Sequence, residues 1–229
     1  MNWKILEKAA QQTDMAQPSD PGNRQYQDYL ASRTAAWWAE AGVSPTEARA
    51  LIRWLNQWKT RVSYATAESL ASNAGTAASQ LAPLRSAVLF DVDLDEEMWR
   101  RIRMAFDAYR EAVGPTGAAK ALHMMNPRLF VMWDDAIRGG YSVREDGIAY
   151  ADIFLPLMQA EVREAVESFE RDGLALDGAG GPGLEARCSA QWTRSLAKIV
   201  DEHNYWKFTR RLKAFWRLQP RRLLTKEPT

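Results

Sequence analysis

Cysteine is almost absent: Cys188 stands alone among 229 residues, which excludes an internal disulfide and a four-cysteine iron–sulfur or zinc cluster. Histidine is scarce as well, with only His123 and His203. No HExxH, P-loop or GxSxG pattern occurs, so the usual metalloprotease, nucleotide-binding and serine-hydrolase chemistries have no carrier. Long hydrophobic runs are missing too. The longest apolar stretches are about five residues, and MNWKILEKAAQQ at the N-terminus has no apolar h-region, so neither a membrane span nor a signal peptide is expected. These absences predict a soluble, cytoplasmic chain with no metal site, no organic cofactor and no membrane partner.

Net charge is nearly absent, since 30 Lys and Arg face 29 Asp and Glu. The balance conceals a gradient. Residues 194–226 hold ten basic residues against two acidic ones, whereas residues 1–193 hold 20 against 26. The near-zero total hides a basic end on an acidic body. What the chain has in plenty is apolar and aromatic mass: 46% hydrophobic residues and ten Trp, enough for a large core, a stacking pocket, or both.

Residues 13–24 gather Thr13, Asp14, Pro18, Ser19, Asp20, Pro21 and Gly22 without periodicity, which predicts a flexible lead-in over 1–24 ahead of a domain over 25–229. Residues 44–62 then read as a capped helix, started by Ser44 or Thr46, with Leu51, Trp54, Leu55, Trp58 and Val62 on one face. Residues 93–113 repeat the logic. Acids lead, and Trp99, Ile102, Phe106, Tyr109 and Val113 step along one stripe until Gly114-Pro115 ends it. Residues 117–126 form another helix, with Ala118, Ala121, Leu122 and Met125 on one side, closed by Asn126-Pro127. Residues 151–173 supply one or two more. The five glycines within 173–183 predict a surface loop, and residues 191–219 the final helices. There Tyr205, Phe208, Leu212 and Phe215 oppose Lys207, Arg210, Arg211 and Arg217. The only strand-like stretches, SAVLFDV and RLFVMW, are short and isolated. The expected fold is therefore all-α, a single helical domain with room for two lobes, and a monomer is the expected state.

The block from Ala112 to Arg138 reads as helix, Gly-rich turn, helix, extended linker and carboxylate. Gly114 and Gly117 permit a tight turn and close approach to a ligand, and the N-terminus of the second helix suits phosphate. Asp134 precedes a short helix ended by Gly139-Gly140, a position that on the residues alone reads first as an N-cap and only second as a catalytic acid.

This block resembles the helix-hairpin-helix motif and following aspartate of the helix-hairpin-helix DNA glycosylase superfamily. Val113-Gly114 and Ala118 match its hairpin, and Asp134-Asp135-Ala136-Ile137 matches its D-x-x-[VI] signature. Ala112 replaces the first hairpin glycine. Bifunctional members carry a Schiff-base lysine two residues past the second hairpin glycine and the aspartate eighteen further on, offsets that fall on Thr116 and Asp134. With threonine at the lysine position, the chain looks like the monofunctional members, which hydrolyse the glycosidic bond without cutting the strand. AAKALHMMNPRLFVMWD and LAKIVDEHNYWKFT are further similar to an outlying bacterial branch of the superfamily, some of whose members are associated with phage defence and excise hypermodified bases such as glucosylated hydroxymethylcytosine.

The resemblance implies DNA as partner, base flipping, and an abasic site as product, with Asp134 as catalytic carboxylate and Asp135 or Lys120 as further candidates at the reacting sugar or a phosphate. It implies DNA contacts from Gly114, Thr116, Gly117, Lys207, Arg210 and Arg211, and a base pocket near Trp133 and His123. Each has a plain rival. The basic C-terminal stripe is also what any solvated helix face shows, a helical Lys120 is more often solvated than part of a site, and Trp37, Trp38, Trp54, Trp58 and Trp133 at helical spacing suit a core. His123 suits a hydrogen-bonded packing role and His203 shows no pattern of its own. The alternatives to an enzyme are a non-catalytic helix-hairpin-helix DNA-binding module and a helical protein-interaction domain.

Overall fold

Residues expected to form a flexible lead-in open instead with a packed helix. In the computed structural model, α1 (Trp3–Ala16) buries Trp3, Leu6, Ala9 and Ala10, and Trp3 meets Phe169 edge-on at 5.5 Å. The 3, 6, 10 spacing of these side chains is an amphipathic stripe that makes α1 part of the core. The structure describes residues 1–16, 21–32, 35–174 and 179–210, and among them the chain forms helices and connecting turns with no strand, a single all-α domain.

α2 (Pro21–Ser32) carries Tyr26 into the core, and a 3₁₀ turn (Ala35–Trp38) buries Trp37. α3 (Pro45–Gln57) starts where the capping box sets it: the Ser44 hydroxyl accepts the Glu47 N–H at 3.2 Å, and the Glu47 carboxylate accepts the Ser44 N–H at 2.9 Å. Ala48, Leu51, Ile52, Trp54 and Leu55 form its buried face. The helix stops at Gln57, and Lys59 and Arg61 take φ of 61° and 60°. Trp58 and Val62 therefore lie in a loop rather than on the helical stripe.

α4 (Ala67–Leu81) has no counterpart among the sequence expectations. Its buried face is mostly alanine, with Leu70 and Leu81, and small side chains there let backbones approach. A Cβ on Gly75 would strike the Glu40 carbonyl oxygen. α4 packs most extensively, among the described residues, against α5 (Glu96–Met125). Asp95 caps α5 by accepting the Met98 N–H at 2.8 Å, and Ile102, Phe106, Tyr109 and Val113 line its buried stripe. At Gly114 the helix breaks, with φ 72° and ψ 171°, and Pro115 opens a second arm over residues 115–125.

The strand-like stretch RLFVMW forms no strand: it opens in a turn, its Arg128 carbonyl accepts the Leu89 N–H at 3.1 Å, and buried side chains take two further carbonyls. The His123 ring pairs with the Phe130 carbonyl through Nδ1 at 2.6 Å, and the Tyr150 hydroxyl donates to the Val131 carbonyl at 2.9 Å. α6 (Asp135–Tyr141) follows, then a π-helical turn (Ala149–Phe154) continuous with α7 (Leu155–Arg171). The glycine-rich stretch is only partly loop. Gly180, Gly181 and Gly183 belong to α8 (Gly180–Trp192), where a side chain on Gly181 would strike the Phe90 ring and one on Gly180 the Glu170 carboxylate. α8 ends at Thr193, whose φ is 53°, and Ser195 caps α9 (Leu196–Asn204), which runs into a π-helical turn (Tyr205–Arg210). α1 lies against α7 and α9. No helix among the described residues is long and apolar enough to cross a membrane.

Candidate functional site

Asp134 is fixed by three elements. Its Oδ1 accepts the Ile137 N–H at 2.9 Å, capping α6, and its Oδ2 accepts the Thr209 hydroxyl at 2.8 Å from the C-terminal π-helical turn. The preceding residue, Trp133, donates its indole N–H to the Pro115 carbonyl at 3.1 Å. That bond ties the segment bearing the carboxylate to the break in α5, so the spacing between Gly114 and Asp134 becomes a contact in space. Gly140 allows the last tie: the Phe208 ring occupies the place a Cβ would take there, which holds the C-terminal turn on α6. Asp134 is half-buried, whereas the Asp135 side chain is 85% exposed and bonded to Arg138 at 2.5 Å. The geometry separates the two adjacent acids.

Lys120 lies on the second arm of α5 and is buried. Its ammonium donates to the Trp58 carbonyl at 3.1 Å and the Thr60 hydroxyl at 3.2 Å and stands 5.6 Å from the centre of the Trp58 ring. Burial lowers its pKa to about 8, against the opposing fields of Asp201, Asp134 and Asp135 and with a small addition from Lys198. Lys120 therefore sits in the electrostatic reach of the candidate carboxylate without forming a salt bridge to it.

Behind Lys120 lies a set of buried charges that the sequence pattern did not single out. Lys198 reaches Asp201 at 2.8 Å and Glu202 at 3.3 Å, and lies 5.0 Å from the centre of the same Trp58 ring. Burial disfavours its ammonium, but the two carboxylates outweigh that and raise its pKa. Arg194 joins Glu202 at 3.2 Å and Asp14 at 2.6 Å. The cluster locks α9 to α1 and backs the face on which Lys120 and Trp58 stand. The i, i+3, i+4 spacing of Lys198, Asp201 and Glu202 is visible in the sequence, but it reads as an exposed ion-pair ladder until the helix is seen to be buried.

The remaining predicted residues divide. Gly114 supplies the positive φ of the break, and the space where its Cβ would point is open. Gly117 has a different use, since a Cβ there would lie 2.8 Å from the Val113 side chain and 3.5 Å from Thr60; the protein itself fills that space. The Thr116 hydroxyl reaches Asp135 at 3.5 Å. Lys207 is exposed, and Arg210 is half-buried with its guanidinium 5.1 Å from the centre of the Trp206 ring. Arg211 lies outside the described residues, as do Lys213 and Arg217. The base-pocket expectation for Trp133 and His123 is corrected. Trp133 is wedged among Phe106, Tyr150 and Phe154, and His123 is fully buried with Tyr26 and Phe130 at its two ring nitrogens. Neither ring offers a face to a flipped base. His203 is held neutral, its pKa lowered to about 4 by burial first and by Lys207 and the N-terminal amine next.

Comparison of the chain with protein-family models, with curated proteins and with solved structures finds no match. The glycosylase resemblance thus rests on the hairpin and aspartate motifs.

Proposed function

We propose that this chain binds DNA and hydrolyses the N-glycosidic bond of a modified or damaged base, leaving an abasic site. The observation that carries the reading is the placement of Asp134: a half-buried carboxylate oriented by two donors, tied through Trp133 to the Gly114 break and lying in the field of the buried Lys120. Loss of a base leaves oxocarbenium character on the sugar, and a carboxylate already oriented stabilises that charge without reorganising. Asp134 also serves to position the attacking water. The base must first leave the stack, so a backbone grip beside the carboxylate is part of the same machinery. Thr116 at the position where the resemblance places a lysine supports hydrolysis without strand cleavage, and the likeness to the outlying bacterial branch points to a hypermodified cytosine, such as glucosylated hydroxymethylcytosine of phage DNA.

The test is an abasic-site assay on unmodified, uracil-containing, oxidised, alkylated and glucosylated duplexes, with mild alkali to cut abasic sites. Asp134→Asn is expected to abolish cleavage of the responsive substrate while duplex affinity stays within about threefold of wild type. Full activity in that variant would remove Asp134 from the reaction, and binding without excision on every substrate would leave it as the cap of α6.

A second reading draws on Lys120, whose lowered pKa leaves on the order of a tenth of its amine unprotonated at neutral pH. Such an amine condenses with the aldehyde of an abasic sugar, expelling water to give an iminium that borohydride reduces to a stable secondary amine. On the hydrolytic reading borohydride traps no protein–DNA adduct. An adduct that disappears in Lys120→Ala would establish iminium formation through this lysine, and a β-eliminated strand beside it would establish cleavage.

A further inference from the structure

The loop over residues 58–62 is held in a conformation that ordinary side chains avoid. Lys59 and Arg61 both adopt left-handed φ, 61° and 60°, with Thr60 between them. Several bonds hold this arrangement. The Asn56 amide donates to the Val62 carbonyl at 2.8 Å and accepts the Val62 N–H at 2.7 Å, clasping the loop across its base. The Thr60 hydroxyl donates to the Leu55 carbonyl at 2.7 Å, while Lys120 donates to Trp58 and Thr60 from inside. Thr60 also packs toward the position left bare by Gly117, in the first turn of the second arm of α5.

The inward residues of the loop thus meet the candidate site, and the two strained residues turn their side chains out. Lys59 and Arg61 are exposed, and neither forms a salt bridge among the described residues. The wider charge is one-sided. Residues 48–67 contain Arg49, Arg53, Lys59 and Arg61 and no acid, in a chain whose first 193 residues carry an acidic excess. Lys120 and Lys198 lie just beneath, over the Trp58 ring. Packing does not need two cations in left-handed backbone, and glycine or asparagine fills such positions at lower cost. A pinned, strained, unpaired basic pair on the loop that holds Lys120, itself in the field of the candidate carboxylate, has the features of an anion contact.

We infer that the 58–62 loop is a phosphate-binding element of the DNA site, in which Lys59 and Arg61 grip the strand backbone beside the sugar presented to Asp134. The inference rests on the nucleic-acid reading above. Through Thr60 and the Trp58 carbonyl, the same loop positions Lys120, so the grip and the interior of the site share one rigid element.

The experiment is a salt titration of the affinity of the full chain for a fluorescent 20-base-pair duplex bearing a tetrahydrofuran abasic analogue. Removing one cation from a phosphate should reduce the slope of log K against log salt by about 0.9. Lys59→Gln combined with Arg61→Gln is expected to bind at least tenfold more weakly at low salt, with the slope reduced by about two such steps. Lys59→Arg combined with Arg61→Lys should retain wild-type slope, showing that charge is what is read. Should the glutamine pair unfold, Lys59→Gly with Arg61→Gly accepts the left-handed backbone and removes the same charges. Affinity and slope unchanged in the charge-removed protein would overturn the inference, as would a wild-type chain that binds no duplex. Excision absent on every substrate, with the slope difference intact, would remove the glycosylase reading and leave the loop assignment standing.

Discussion

Lys120 is a buried base whose altered ionisation stability measurements will detect. Its ordinary pKa is 10.5 and burial brings it to about 8. Between those two values the folded chain has released a proton that the unfolded chain still holds. Stability therefore rises with pH across that window, and below it the buried ammonium costs about 3 kcal/mol at 1.36 kcal/mol per unit. Lys120→Met removes the titration. The difference in unfolding free energy between wild type and this variant should shift by about 3 kcal/mol in favour of wild type from pH 7.5 to 10.5, read from urea unfolding at the two values. A difference that stays flat would mean the ammonium is solvated and would take away the physical basis of the second functional reading. Asp134 was legible at this scale because a D-x-x-I register is local. Lys198, Asp201 and Glu202 were not, because whether a charged triplet faces water or core depends on what α9 packs against.

Caps and breaks governed which elements could be read. α3 and α5 announced themselves through a Ser44 or Thr46 start and through leading acids, and Gly114-Pro115 marked the break between the arms of α5. α4 was silent because its buried face is alanine, which barely differs in hydropathy from its exposed neighbours, and α8 was silent because its glycines serve close packing rather than bending. The segment before α6 resembled a strand since it is apolar, but it opens in a turn, and side chains together with a single backbone bond from Leu89, rather than a ladder, satisfy its carbonyls. Close packing of α4 gives a direct test. Gly75→Ala drives a methyl group into the Glu40 carbonyl oxygen and places it 2.9 Å from the Gly42 amide nitrogen, and backbone on that side cannot swing away as a side chain would. The substitution should destabilise by about 2 kcal/mol, although alanine is the better helix former by nearly 1 kcal/mol at an open site. Thermal unfolding measures it. Stabilisation would show that α4 does not approach the backbone of residues 40–42 this closely.

Across the whole molecule, the proposed site is where separate basic segments converge on one carboxylate. The 58–62 loop holds Lys120, which lies in the field of that carboxylate, and the C-terminal turn bonds it through Thr209. The sequence showed the basic C-terminus as a single stripe, but the structure gives its described members different work. Lys207 is exposed, with its ammonium 5.2 Å from the centre of the Tyr141 ring, free to trade solvent for phosphate. Arg210 is half-buried on Trp206, where its guanidinium and stem contribute to packing. Equal charge therefore predicts unequal effects. On the DNA-binding reading, Lys207→Gln should lower the salt slope of duplex affinity by about 0.9 with little change in melting temperature. Arg210→Gln should leave the slope close to wild type while lowering stability by about 1 kcal/mol. Because Lys207 and the 58–62 loop belong to different elements, Lys207→Gln combined with the glutamine pair in the loop should add its reduction of slope to theirs. Slope reductions absent for both would mean that the C-terminal turn holds Asp134 in place without touching the strand, whereas equal reductions would mean that Arg210 contacts phosphate as Lys207 does.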